Sequence, residues 1–151
     1  METWYVMMHT DSLDKAKKPD CLIIKFGRRM SFNSEIRMDI IHSKEVKNEE
    51  EVPVMRGEVN VRGKEPFGVN LPMSPSFPLN IMLSDFDEEN ECMAFWSCSE
   101  YGSSMVQKGG WVMCQSLDVD QEVVEKLAEN LASTSNMTTG DFEWTKYDSC
   151  L

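Results

Sequence analysis

Cysteine and histidine are the side chains best suited to redox, nucleophilic or metal chemistry, and the chain of 151 residues has five of the first and two of the second. Five cysteines in a short chain favour disulfide bonds formed in an oxidising compartment, with one thiol left over. No two cysteines have Cys-x-x-Cys spacing, and two histidines are too few for a conventional zinc centre. The sequence therefore predicts no metal and no required cofactor, and it places His9 and His42 near strand ends as surface or rim residues.

Catalytic motifs are absent from the sequence: there is no nucleophile elbow, phosphate loop or His-Glu zinc motif, so an enzyme is not predicted. Twelve methionines are the unusual feature of the composition. Methionine is flexible and polarisable, which suits an adaptable cavity around a large apolar ligand, and it also fills gaps in ordinary cores. Both interpretations stay open for the candidate cavity methionines, which are Met8, Met38, Met55 and Met82.

The charge balance limits the partners of the chain. Its net charge is -11, from 26 acidic and 15 basic residues. This surface repels nucleic-acid phosphates and anionic membranes. No apolar run reaches the roughly 20 residues that span a bilayer, so neither nucleic-acid binding nor membrane insertion is expected. With 41% hydrophobic residues, residues 1–151 can form a single domain with a sizeable core.

Short apolar runs separated by polar loops predict strands along most of the chain. Three of them form an antiparallel meander, in which an acidic turn separates Met82–Asp87 from Cys92–Cys98 and a second loop leads to Gly110–Cys114. Gly27 and Gly57 are predicted bulges. The earlier predicted strands are Trp4–His9, Cys21–Phe26, Glu35–Ile40, Val52–Val61 and Pro66–Leu71. The first run of the meander belongs to the sixth strand, Leu79–Leu83, and the other two runs are the seventh and eighth strands.

One amphipathic helix is predicted from Val119 to Leu131, with Asp118 as its N-cap, followed by a last strand from Asp141 to Tyr147. Eight strands followed by a single late helix are the layout of an all-β fold. We expect an eight-stranded antiparallel up-and-down β-barrel with one C-terminal α-helix packed outside, a size that can hold one small ligand.

Alternation of side chains along each strand predicts which residues face the cavity. Trp4, Val6 and Met8 share one face of the first strand. The facing of Phe95 depends on the register of the seventh strand, because a slip of one residue reverses a strand. The predicted ligand-binding residues are Val6, Met8, Ile36, Met38, Ile40, Val54, Leu79, Ile81, Leu83 and Phe95.

Three segments resemble signature regions of the lipocalins: the initial Thr3–Tyr5, the Ser84–Phe86 turn and the strand end Trp96–Cys98. The branch they resemble most contains apolipoprotein D, the bilin-binding proteins and the crustacyanins. The resemblance implies that Trp4 plugs the closed end of the barrel. The chain departs from the family pattern at Glu2, Phe86 and Gln115, where a Gly, a Tyr and an Arg are usual.

The resemblance also implies a function, namely binding and transport or storage of a small hydrophobic ligand in the barrel. A bilin or a carotenoid is the first candidate, and a lipid or retinoid-type molecule the second. An interaction protein that uses the barrel as a scaffold is the alternative. The resemblance implies a secreted protein and leaves homo-oligomerisation open. The sequon Asn136-Met137-Thr138 agrees with secretion.

Disulfide pairing is likewise implied by position. Cys21 and Cys150 resemble a bonded pair of this lipocalin branch, and Cys98 matches a cysteine whose partner segment this sequence lacks, so Cys98 is expected to be unpaired. A hairpin centred near Ser103 would set Cys92 opposite Cys114. That pair is a second candidate disulfide, with Cys98–Cys114 as the competitor.

Overall fold

The computed structural model describes residues 2–10, 22–28, 35–42, 55–60, 67–70, 79–101 and 105–147. In these residues the predicted antiparallel sheet and single C-terminal helix are confirmed, as nine strands and one α-helix with a short 3-10 turn between helix and last strand. The elements are β1 Glu2–Thr10, β2 Leu22–Arg28, β3 Glu35–His42, β4 Met55–Asn60, β5 Phe67–Asn70, β6 Leu79–Asp87, β7 Cys92–Tyr101, β8 Met105–Cys114, α1 Gln121–Ser135, the 3-10 turn Thr139–Asp141 and β9 Phe142–Trp144.

Every strand pairs antiparallel with its neighbours, in the order β2-β3-β4-β5-β6-β7-β8-β1-β9. The first strand has three partners. Its residues Glu2–Tyr5 pair with β2, Tyr5–His9 pair with β8, and Met8–Thr10 pair with β9. β1 therefore pairs with β8 along one edge, and with β2 and then β9 along the other edge.

Two irregularities in register shape the sheet. One falls in β1 between Val6 and Met8, and the other in β6 between Leu83 and Asp85. An extra residue in one strand of a pair reverses the facing of all that follow it. The predicted bulges at Gly27 and Gly57 are wrong, because both glycines pair with β3 in an uninterrupted register.

The sheet has two distinct faces, here called the helix face and the Trp4 face. The helix face packs against α1 and carries Cys92, Ala94, Val112 and Cys114, all buried in one cluster with the helix. Residues at alternate positions point the other way. This Trp4 face carries Trp4 and Val6 of β1, and it also carries Met93, Phe95 and Ser97 of β7 and Trp111 and Met113 of β8.

The helix packs through a stripe whose spacing follows the helical repeat. Val124, Leu127 and Leu131 are buried on it, as the sequence predicts, together with Ala128 and Ala132. Leu131 and Val124 are fully buried. Within the described residues no helix is long and apolar enough to cross a membrane.

The ends of α1 differ from the prediction. The N-cap is Asp120, whose carboxylate accepts a hydrogen bond from the Glu122 amide at 3.2 Å. Asp118 instead lies in the preceding turn, where its amide donates to Ser116 Oγ. The helix continues one turn beyond Leu131, to Ser135, and ends at Asn136 in the left-handed region with φ 58°. Asparagine tolerates that conformation, which makes it a suitable helix end.

The acidic turn between β6 and β7 is stabilised by its own side chains. Asp87 accepts hydrogen bonds from the Asn90 amide at 3.1 Å and from Asn90 Nδ2 at 2.9 Å. These bonds favour the carboxylate, with the side-chain bond from Asn90 the largest cause, and lower the pKa of Asp87. Glu91 completes the reversal with φ 52°. The turn sets Asp87 opposite Cys92 and so fixes the register between β6 and β7.

Candidate functional site

A pair of aromatic rings lies at the middle of the Trp4 face. Phe95 of β7 and Trp111 of β8 are directly opposite in the register. Their ring centroids are 5.4 Å apart and the ring planes are tilted by 38°. Phe95 is 7% exposed and Trp111 5% exposed. Two large rings in contact on adjacent strands form a broad apolar wall.

His9 lies beside this wall. The irregularity in β1 places His9 opposite Trp111, on the Trp4 face, and its side chain is 3% exposed. The predicted surface or rim position of His9 is therefore wrong. Nδ1 of His9 lies 3.2 Å from the carbonyl oxygen of Thr10. Because a carbonyl oxygen can only accept, a hydrogen bond there requires the proton on Nδ1, and in the neutral ring Nε2 is then an acceptor.

Ser97 adds a second polar group on the same face. It follows Phe95 by two residues on β7, pairs with Gly109 of β8 and is 5% exposed. His9 and Ser97 are thus two buried polar side chains at the edge of the aromatic wall. A few polar groups beside an apolar wall are what fixes the orientation of a small ligand in most binding sites.

Trp4 lies at the other end of this face. It pairs with Ile24 of β2, and both side chains are buried. Val6 and Met113, opposite each other in the register, are fully buried above it. The indole Nε1 of Trp4 is buried without a hydrogen-bond partner within the described part of the chain. Apolar side chains therefore fill this end of the face.

Part of the apolar surface of the Trp4 face is uncovered. Leu83 of β6 pairs with Phe95 and is 42% exposed, and Phe86 pairs with Met93 and is 52% exposed. These side chains contrast with the buried Phe95 on the next strand. A partly covered apolar wall with a few convergent polar groups is the usual composition of a site for a small hydrophobic molecule.

Four of the predicted ligand-binding residues have described side chains. Val6 and Phe95 lie on the Trp4 face, and Leu83 lies there too, opposite Phe95. The predicted facing of Met8 is wrong. The shift between Val6 and Met8 sets Met8 opposite Val112, and its side chain packs in the cluster under the helix.

The other predicted ligand-binding residues are placed by backbone register or lie outside the described part. In β3, Ile36, Met38 and Ile40 pair with Arg28, Phe26 and Ile24. In β6, Leu79 and Ile81 pair with Val69 and Phe67. Val54 lies outside the described residues, as do the side chains of the other five.

Of the remaining candidate cavity methionines, Met55 pairs with Ile40 in the backbone register. Met82 pairs with Trp96, which packs against the cluster under the helix, so Met82 lies on the helix face. A cavity role for Met82 is therefore wrong.

Sequence reasoning missed His9, Ser97, Trp111, Met93 and Met113 as members of this face. For four of them the signal was present. Once Cys92 is set opposite Cys114, positions 93, 95 and 97 and positions 109, 111 and 113 must share the opposite face. The sequence gives no such signal for His9. Its facing follows from the irregularity in β1 between Val6 and Met8, where no glycine or proline indicates a bulge.

The predicted disulfide between Cys92 and Cys114 is confirmed, with the two Cα atoms 4.1 Å apart. The competing pair Cys98–Cys114 is excluded, since Cys114 is bonded and Cys98 pairs with Lys108 in the register. Cys21 and Cys150 lie outside the described residues, so their bond stays a prediction. In the described part of the chain, no group of three His, Cys, Asp or Glu side chains is arranged to hold a metal ion.

Comparison with solved structures supports the fold. Lobster apocrustacyanin A1 matches with TM-score 0.70 at 15% identity, covering 99% of this chain and 78% of the other. Insecticyanin from the tobacco hornworm Manduca sexta matches with TM-score 0.66 at 10% identity, covering 99% and 79%. The possum milk whey lipocalin trichosurin, solved with bound 4-ethylphenol, matches with TM-score 0.61 at 12% identity, covering 93% and 92%.

No protein-family model and no curated protein sequence matches this chain. The similarity at 10–15% identity is one of fold. The chain has the lipocalin fold, and the resemblance read from Thr3–Tyr5, Ser84–Phe86 and Trp96–Cys98 is confirmed at that level.

Proposed function

We propose that the protein is a lipocalin that binds and carries or stores one small hydrophobic molecule on the Trp4 face of its sheet. The observation that carries the proposal is the composition of that face. An aromatic wall of Phe95 and Trp111 is flanked by two buried polar side chains, His9 and Ser97, and continues into the partly uncovered Leu83. Binding would release water from apolar surface, which is the driving force for such ligands.

The proposed container is a closed eight-stranded calyx, in which the Trp4 face is the inner surface. Its support is the pairing of β1 with both β2 and β8, together with continuous antiparallel pairing from β2 to β8. The helix then packs on the outside, which agrees with α1 lying against β1, β6, β7 and β8. The proposal is for a binding protein, and a catalytic role is no part of it.

The ligand class follows from the resemblance and from one structural neighbour. The resemblance to the bilin-binding and crustacyanin branch favours a bilin or a carotenoid, with a lipid or retinoid-type molecule second. Trichosurin, solved with bound 4-ethylphenol, shows that a neighbour of the same fold accepts a small apolar ring. Flat aromatic side chains such as Phe95 and Trp111 suit a planar conjugated ligand better than a flexible chain.

A titration tests the proposal. Purified protein is mixed with biliverdin, a carotenoid, a fatty acid and 4-ethylphenol, and binding is followed by ligand absorbance and tryptophan fluorescence. Trp4 and Trp111 both lie on the proposed binding face, so a ligand there should quench them. Mass spectrometry of molecules extracted from the native protein identifies the natural ligand. If no apolar ligand binds and none is extracted, the scaffold alternative replaces the carrier.

Secretion is part of the same proposal. Its support is the Cys92–Cys114 disulfide and the exposed Asn136 of the sequon, which sits in a left-handed turn just after α1. When the chain is expressed with a secretory leader, we expect a mobility shift on glycosidase treatment that the Asn136→Gln variant lacks. Non-reducing peptide mapping of the same material should recover Cys21 bonded to Cys150. Free Cys150 would contradict that pairing.

A further inference from the structure

Two large apolar side chains lie exposed together on β6. Leu83 is 42% exposed and Phe86 52% exposed. They pair with Phe95 and the half-buried Met93 of β7, so both belong to the Trp4 face. In the described part of the chain β5 pairs with β6 only as far as Ile81, so no described strand lies beside Leu83 and Phe86 on that side. The apolar surface of Leu83, Phe86 and Met93, here called the β6 strip, is therefore open to solvent.

An acidic turn borders one end of the β6 strip. Glu88, Glu89 and Glu91 follow Phe86 along the chain and are all exposed. Two residues of extended chain span at most about 7 Å, so the backbone of Glu88 lies within that distance of the backbone of Phe86. The Debye length at physiological salt is about 8 Å. A charged group placed on the Phe86 ring therefore interacts with the glutamates of the turn.

The turn is held in place, so its charges keep their position relative to the β6 strip. Asp87 accepts two hydrogen bonds from Asn90, and the carbonyl oxygen of Glu91 accepts one from the Gln115 amide at 3.1 Å. Asp87 lies on the helix face. The hydrogen bonds from Asn90, and to a smaller extent the positive charge of Lys126 on α1, lower the pKa of Asp87. Lys126 thus compensates an acid on the helix side of the sheet, whereas the exposed glutamates border the strip.

We propose that the β6 strip binds a hydrophobic molecule with a positively charged group, an alkylammonium or arylammonium ion, whose cation lies at the Phe86 end. This inference rests on the proposed function and names the charge of its ligand. The apolar part of the ligand covers Leu83 and Met93, while the cation lies between the acidic turn and the face of the Phe86 ring. A carboxylate in the same place is repelled. Among the other candidate ligands, an uncharged carotenoid or retinoid therefore fits the strip better than an anionic bilin or fatty acid.

Three probes with the same alkyl chain test the charge preference. Decylammonium, decanol and decanoate carry a positive charge, no charge and a negative charge at neutral pH. Each is titrated against the neutral dye N-phenyl-1-naphthylamine, whose fluorescence falls when it is displaced. We expect decylammonium to bind about three- to tenfold more tightly than decanol, and decanoate to bind most weakly. Salt at about 1 M should remove most of this preference, because the Debye length falls to about 3 Å.

Two double variants separate the acidic turn from the net charge of the protein. Glu88→Gln with Glu89→Gln removes two charges beside the strip, and Glu129→Gln with Glu143→Gln removes two exposed charges on α1 and β9. Both variants have the same net charge. The ratio of the dissociation constants of decanoate and decylammonium should fall about five- to tenfold in the turn variant and less than about twofold in the control. Phe86→Ser should weaken all three probes by about threefold or more, because each loses apolar contact.

The outcomes separate this inference from the proposed function. If the probes bind and the two double variants change the ratio equally, net charge is the cause; selection by the turn is then wrong and the carrier function stands. If Phe86→Ser leaves all three affinities unchanged, or decanoate binds as tightly as decylammonium, the inference again fails alone. It also fails alone if a carotenoid or biliverdin binds and the three probes do not. If no ligand of any class binds, both fall.

Discussion

The two faces of the sheet are made from alternate residues of the same strands, yet they differ in how completely their apolar side chains are buried. On the helix face, Cys92, Val112 and Cys114 are fully buried against α1. Polar groups associated with that packing have partners: Ser135 Oγ donates to the Leu131 carbonyl at 2.6 Å, and Thr10 Oγ1 accepts from the Gly110 amide at 3.0 Å.

The Trp4 face has the opposite character. It combines the indole Nε1 of Trp4, which is buried without a partner among the described residues, with apolar Leu83 and Phe86, which are 42% and 52% exposed. Neither feature adds stability. From this difference we infer that the helix face stabilises the fold, while the Trp4 face keeps apolar surface that a ligand could cover. Substitutions on the two faces should therefore have separable effects.

The largest effect is expected under the helix. Leu131→Ala removes a fully buried side chain that lies close to Gly110 and should lower the free energy of unfolding by about 2–5 kcal/mol. Ligand selectivity should stay the same. Chemical denaturation measures the change, with the exposed Glu129→Ala on the same helix as the control. A stability loss below about 1 kcal/mol for Leu131→Ala would contradict the assignment of this face.

The disulfide of the helix face should contribute nearly as much. Replacing both Cys92 and Cys114 by Ala opens a loop closed over a sequence separation of 22 residues. The chain-entropy account gives a loss of about 3 kcal/mol. Denaturation of the double variant, set beside wild type under non-reducing conditions, checks this. Unchanged stability would mean that the bond does not constrain the unfolded chain.

Gly110 and Gly109 are neighbours on opposite faces and give a matched pair. A Cβ at Gly110 would lie 3.1 Å from both Leu131 and Phe142 and 3.2 Å from Met137. Gly110→Ala should therefore lower the free energy of unfolding by about 1–3 kcal/mol through overpacking. Gly109→Ala should destabilise less and change ligand affinity more, because its methyl group enters the proposed site. A larger stability loss for Gly109→Ala, or a larger affinity change for Gly110→Ala, would contradict the assignment of the two faces.

Tyr147, which follows β9, links the C-terminal segment to β1 and β2 through hydrogen bonds. Its hydroxyl lies 2.7 Å from the carbonyl oxygens of both Val6 and Leu22, and its ring meets Tyr5 edge-on. Burial, and to a smaller extent the nearby Tyr5, raise the pKa of Tyr147 above its usual value of 10.

Because the folded state holds this proton more tightly than the unfolded one, the contribution of Tyr147 is complete below about pH 10 and is lost as the pH rises above it. Tyr147→Phe should cost about 1–2 kcal/mol at neutral pH and should weaken the fall in stability above pH 10. Denaturation at about pH 8 and about pH 11 measures both effects. An alkaline loss as steep as in wild type would show that another group is responsible.

The sequence was sufficient for most of the fold, because hydrophobic periodicity and turn residues are local signals. It predicted the buried stripe of α1 at Val124, Leu127 and Leu131 and the pairing of Cys92 with Cys114. It placed the N-cap at Asp118, because either Asp118 or Asp120 can cap a helix and only the path of the preceding turn selects between them.

The site was harder to predict, because facing depends on register. The shift in β1 between Val6 and Met8 moves Met8 to the helix face and brings His9 to the Trp4 face. Such a shift depends on pairing with β8, about a hundred residues away along the chain, which no local pattern encodes. Val6 shares a face with Trp4, as the sequence predicts, because the residues before the shift keep a regular alternation. The facing of Phe95, which the sequence leaves open, follows from the register beside the disulfide.

One crossed measurement tests the central claim that the Trp4 face binds a small apolar ligand while the helix face supplies stability. Affinity for biliverdin or the extracted ligand is measured together with the melting temperature in Leu83→Asp and Leu131→Ala. A charge at the exposed Leu83, opposite Phe95, should weaken binding at least about tenfold with little change in melting temperature. Leu131→Ala should lower the melting temperature and leave the affinity of the folded protein unchanged. Equal affinities in the two variants, or a loss of binding only in Leu131→Ala, would contradict the account.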